Sequence, residues 1–154
     1  MRRKVPSRII PIDEESFFAE LTDRTDPKQV DTARRLLDWC KRERLAIVCH
    51  KGRRNSTLSP MLDGPSGRFR LFSIWTTGRV ELAAGIISAK PPFDDEVARG
   101  ELDHRLHDLP GLMRTVSGVK GYPCIPLAEL AEKGAYDRLI DFLEWVVGRV
   151  RQPA

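Results

Sequence analysis

A chain of 154 residues and 17.5 kDa suits one domain, because two halves of about 75 residues would each bury little core. Its 41% hydrophobic and 31% charged residues exclude collagen-like, coiled-coil and wholly disordered chains, and no apolar run approaches the roughly 20 residues of a membrane span. The net charge of +4 is concentrated: residues 41–90 hold 10 basic and 3 acidic side chains, net +7, against net 0 before them and net −3 after.

Residues 1–12 read as a basic, proline-punctuated N-terminal arm or edge strand, and 13–151 as one domain. Arg2, Arg3 and Lys4 are not followed by an apolar segment, so no cleaved secretory signal is expected. Asp13-Glu14-Glu15 opens a short helix carrying Phe17, Phe18 and Leu21, since acids suit a helix N-terminus. Asp26-Pro27 starts a second helix over about 27–43, with Val30, Ala33, Leu36, Leu37 and Cys40 on one face.

Residues 45–52 read as a buried strand turning polar at His50 and Lys51. Ser56–Leu62 reads as a weaker strand, placed at an edge by Pro60. Asp63-Gly64-Pro65-Ser66-Gly67 is the strongest turn signal. Residues 68–78 follow as a strand with Arg70, Phe72, Ile74 and Thr76 on one side and Phe69, Leu71, Ser73 and Trp75 on the other. Residues 79–88 continue the meander, with Val80, Leu82, Ala84 and Ile86 on one face.

Pro91-Pro92 breaks the sheet, and a helix is predicted over 93–109. Residues 116–125 read as irregular, with a short strand around Val119. A brief helix starts at Pro126, and a final one covers about 135–150 with Tyr136, Leu139, Ile140, Leu143, Val146, Val147 and Val150 facing the core. The predicted fold class is therefore α+β: an antiparallel meander of three to four strands flanked by about four helices on one sheet face.

Three cysteines, Cys40, Cys49 and Cys124, sit in apolar company with no CxxC pair, which fits buried free thiols and a cytoplasmic location. No metal or cofactor is expected: the His residues form no ligand pairs with these thiols, and His104 and His107 alone are a weak metal signal. His104 and Asp108 are spaced as a base and its orienting acid, but no nucleophile accompanies them.

Of the 26 basic residues 19 are Arg, which suits bidentate contact with phosphate or carboxylate. Lys51, Arg53 and Arg54 lie on a strand-to-strand turn with Gly52, and Arg68, Arg70 and Arg79 extend the positive region. Together they are the predicted phosphate contacts. The same composition also fits a merely solvated Arg-rich surface. Arg stems beside aromatics could form a stacking platform if the sheet face is open, although Trp75 reads more readily as core.

A restriction-endonuclease-like site would use Asp63, Glu81 and Lys90, but the acid-x-Lys half of that pattern reads Glu81-Leu82-Ala83. Residues 120–127, stiffened by Pro123 and Pro126, read as a rigid connection or a partner-binding strand. The leading expectation is a non-enzymatic domain that binds nucleic acid, DNA more than RNA, with no membrane partner. An interaction module for an acidic protein is the alternative, and the degraded nuclease is third.

The stretch from Ala46 to Leu130 resembles a pattern found in small bacterial domains. The residues that carry it are Leu71 through Glu81, Pro91-Pro92-Phe93, and Pro123-x-Ile125-Pro126-Leu127. The resemblance implies a compact α+β bacterial domain and assigns no activity and no site residues.

Overall fold

The computed structural model describes residues 10–113, 122–132 and 134–152. The architecture is α+β, as expected, but the sheet is larger than the predicted three or four strands. Among the described residues seven strands, β1 (Ile10–Pro11), β2 (Ala46–Lys51), β3 (Ser56–Gly64), β4 (Gly67–Arg70), β5 (Phe72–Trp75), β6 (Arg79–Leu82) and β7 (Cys124–Pro126), form one antiparallel sheet. Its order is β1-β2-β3-β5-β6-β7, with β4 also paired to β3. The two outer strands, β1 and β7, are short and proline-bearing; β1 falls where an arm or edge strand is expected, and β7 carries no alternating pattern to read. The expected strand around Val119 lies outside the described residues.

Six helices complete the fold of the described residues: α1 (Glu14–Arg24), α2 (Pro27–Arg42), α3 (Ala84–Ile87), α4 (Glu96–His107), α5 (Leu127–Leu130) and α6 (Ala135–Arg151). Three of them start where an aspartate accepts from the exposed N–H groups of the first turn. Asp13 accepts from Ser16, Asp26 from Gln29 and Asp95 from Ala98, at 2.7–2.9 Å. The Asp95 cap makes α4 start later than the predicted residue 93. All six helices place side chains in a single buried apolar cluster, together with Cys49, Leu58, Leu62, Phe69, Phe72, Ile74, Val80, Leu82 and Ile125 of the sheet.

A β-bulge organises the middle of the sheet. Arg70 pairs with Met61, but Ile74 pairs with Leu58, so the β4–β5 segment carries one residue more than the stretch of β3 it crosses. The extra residue is Leu71, whose N–H donates to Pro60 O at 3.0 Å and whose carbonyl accepts from Ala83 at 3.2 Å. Arg70 is thereby moved off the side of Phe72 and Ile74, contrary to simple alternation. It shares the opposite face with Ser73, to whose Oγ its guanidinium donates at 3.0 Å.

The bulge also explains two other departures from the sequence reading. Pro60 lies in a central strand rather than at an edge. Its carbonyl points at Leu71, so its missing N–H would have pointed to the same side, where the ladder is already interrupted. The strand predicted over 79–88 ends at Leu82, paired with Phe72, because the next residue across is the bulge. Ala83 bonds to Leu71 and the chain turns into α3, so Ala84 and Ile86 are helical.

At the other end of β3 the chain is held by α1. The Ser56 N–H donates to Glu20 Oε2 and to Thr76 Oγ1, each at 3.0 Å. Burial alone pushes the Glu20 carboxyl upward, but hydrogen bonds from Thr76 and Ser56 and the charge of Arg24 outweigh it and hold the group below its ordinary 4.5. The sign follows from proton linkage. Between the unfolded and folded values the unfolded state binds more protons, so this contribution is complete above pH 4.5 and is lost as pH falls through the lowered value. Glu20→Gln is expected to cost about 1 kcal/mol at neutral pH and to flatten the acid limb of a stability–pH curve. Urea titrations from about pH 7 down to pH 3 check this, and an unchanged acid limb would remove Glu20 from the account.

Candidate functional site

Alternation gives the sheet two different faces. One supplies the sheet's part of the core. The other carries Ala46, Val48 and His50 on β2, Thr57, Ser59, Met61 and Asp63 on β3, Arg68 and Arg70 on β4, Ser73 and Trp75 on β5, Arg79 and Glu81 on β6, and Cys124 on β7. None of these belongs to the apolar core, Trp75 included. This corrects the reading of Trp75 as a core residue.

The centre of this face is a connected polar row. Ser59 Oγ and Ser73 Oγ lie 2.7 Å apart, both buried. Ser73 accepts from Arg70 Nη1, and Arg70 Nη2 lies 3.8 Å from Glu81 Oε1, with both side chains half-buried. The Arg70 guanidinium also sits 5.6 Å from the centre of the Tyr122 ring, and that of Arg79 sits 5.1 Å from the Trp75 ring. Two donors on this face, Arg70 Nε and Trp75 Nε1, are buried without a hydrogen-bond partner among the described residues.

The six basic residues singled out from the sequence do not form one footprint. Arg68 stands at the β3–β4 turn and is paired with Asp63 at 2.8 Å. Their hydrogen bond and mutual charge hold the Asp63 carboxyl below its ordinary range. The opposite end of β3 is about 24 Å away at the usual rise per residue. Arg70 lies between the ends, beside Glu81.

At that far end Lys51 closes β2, and Arg53 and Arg54 occupy the turn into β3. Arg79 stands across the sheet in the same row as Trp75 and Thr57. All four are exposed and have no carboxylate partner among the described residues. The turn is braced from behind. Gly52 N–H donates to Asn55 O at 2.8 Å, and Arg24, the last residue of α1, donates to Asn55 Oδ1 and Arg54 O, both at 2.7 Å. The sequence reading missed Arg24 and Glu20, because their role depends on the end of α1 meeting a turn some 30 residues later.

The three residues of the nuclease reading are not brought together. Glu81 lies in the Ser59–Ser73 row and faces Arg70, whereas Asp63 is four residues further along β3, about 13 Å, and faces Arg68. Lys90 lies beyond α3, in the turn that precedes Phe93. Among the described residues no three His, Cys, Asp or Glu side chains converge as a metal site. His104 and Asp108 do not act as a pair: Asp108 is 3.4 Å from Arg138, and the nearby His107 is 3.3 Å from Asp103.

Cys40 and Cys49 are buried free thiols, as expected, and Cys124 is half-buried. Burial raises the Cys40 thiol far above the ordinary range and pushes Cys49 up to about 11, so neither is a ready nucleophile. No helix among the described residues is long and apolar enough to cross a membrane. Compared with protein families, with curated proteins and with solved structures, the chain matches none.

Proposed function

We propose that the protein binds nucleic acid through the polar sheet face and the β2–β3 turn, acting by binding rather than by catalysis. The observation that carries this reading is the set of exposed cations at one end of the sheet: Lys51, Arg53 and Arg54 at the β2–β3 turn, and Arg79 on the face that takes no part in the core. Exposed cations without carboxylate partners are what a phosphate backbone neutralises, with release of its counterions. Arg68 and Arg70 contribute less than their charges suggest, because Asp63 and Glu81 already face them. Among the described residues nothing on the face forms a recognition helix or a zinc module, so backbone contact rather than base-edge readout is the expected mode.

Fluorescence anisotropy with labelled DNA and RNA between about 50 and 200 mM salt tests the reading. Binding should weaken steeply and linearly on logarithmic axes over that range. Absence of binding at low salt would reduce the charge cluster to composition. An equal affinity for poly-glutamate would favour an acidic protein partner over nucleic acid.

A further inference from the structure

Resting on that reading, we infer that the form of nucleic acid taken by this face is a single strand, with Trp75 and Tyr122 as stacking positions for its bases. A duplex hides its bases and offers proteins a groove, which is entered by a protruding helix or ribbon. The face described here is the pleated surface of the sheet, and its recognition groups lie across it. What such a surface meets well is an unpaired strand, whose bases expose flat faces to aromatic rings while its phosphates reach the surrounding cations.

The side chains fit that division of labour. Trp75 is partly exposed, lies outside the core although it is a large aromatic, and stands in one row with Thr57 and Arg79. Tyr122 is 37% exposed, two residues before Cys124, which pairs with Glu81. An arginine lies over each ring, Arg79 over Trp75 and Arg70 over Tyr122, so a base that stacks on the other ring face, or takes the guanidinium's place, has that cation within reach of its phosphate. Between the two rings lies the half-buried Arg70, anchored on the buried Ser73 hydroxyl, and its guanidinium can donate to a base edge or a sugar. The exposed turn with Arg53 and Arg54 continues the charge past the Trp75 end, so a strand crossing the face leaves it over cations.

The test compares oligo-dT and oligo-U of about 12 nucleotides with a DNA duplex of the same length, at about 100 mM salt. The proteins are the full chain, Trp75→Ala, Trp75→Phe and Tyr122→Ala, each checked for an unchanged thermal transition. The single strands should bind at least 5-fold more tightly than the duplex. Trp75→Ala should lose about 5- to 100-fold on the single strands and less than about 2-fold on the duplex, and Trp75→Phe should recover most of the loss. Tyr122→Ala should show the same selectivity with a smaller loss.

A preference for oligo-dT or for oligo-U identifies the sugar and supports the inference either way. Duplex binding as tight as single-strand binding overturns the inference while leaving nucleic-acid binding intact. So does a Trp75→Ala loss shared equally by both forms. Failure of all three probes to bind overturns both readings together.

Discussion

Phe72→Ala is expected to lower the free energy of unfolding by about 3–5 kcal/mol, whereas Trp75→Ala, three positions along the same chain, should cost about 1 kcal/mol or less. Phe72 is fully buried at the point where the β4–β5 segment rejoins the ladder, and its side chain lies among core residues from the sheet and the helices. Removing it leaves a cavity that close-packed neighbours refill only in part. Trp75 is the larger side chain, so residue size alone predicts the opposite order. Denaturant titrations of the two variants decide the matter. Equal losses would mean that Trp75 is part of the core and that the polar face is not free to receive a ligand.

That contrast also shows what could be read beforehand. The first two helices were legible because their starts are chemical: Asp13 and Asp26 cap them, and Pro27 fits the first turn of α2, whereas the acids ahead of α4 read as lying inside it, which hides its true cap, Asp95. The stripe from Tyr136 to Val150 reads as one helix face and is one. The bulge was not legible, because Phe69, Leu71, Phe72 and Ile74 are all apolar and satisfy two registers equally well. The side to which Pro60 would have donated depends on a partner strand that local sequence does not name.

The same limit applied to the site. Charge counting found the basic third of the chain, but only the register pairs Arg70 with Glu81 and separates Arg68 from the cations of the β2–β3 turn. The run after Leu82 is apolar enough for either strand or helix, and the end of the β5 ladder chose the helix.

Simultaneous replacement of Lys51, Arg53 and Arg54 by alanine is expected to weaken nucleic-acid binding at least about tenfold at 100 mM salt. It should also make the slope of log affinity against log salt shallower by about 2 for a single strand, near 0.7 for each lost phosphate contact. The three residues are exposed, and the backbone of their turn is held by Arg24 and by the Gly52–Asn55 hydrogen bond, so the fold should tolerate the change. Arg68→Ala removes a cation of equal formal charge from the far end of β3. Because Asp63 already faces Arg68, affinity should change about twofold or less. Salt titrations of the two variants beside the parent check both statements. Equal losses would mean that only net charge matters and that no particular end of the sheet is the contact.

The two short outer strands carry a consequence of their own. In β1, Ile10 lies opposite Lys51 and the Ile12 N–H bonds to Cys49 O, so residue 11 is turned away from the sheet, and it is a proline. In β7, the outward N–H and C=O of Cys124 are taken by Met113, and the next outward position is Pro126. Among the described residues, neither β1 nor β7 therefore offers a spare N–H to a strand from another molecule. Along the described residues, edge-to-edge addition, the route by which exposed β-structure polymerises or captures extended peptides, meets Pro11 on one side and Met113 with Pro126 on the other. There a visitor is met by side chains and not by a free backbone donor.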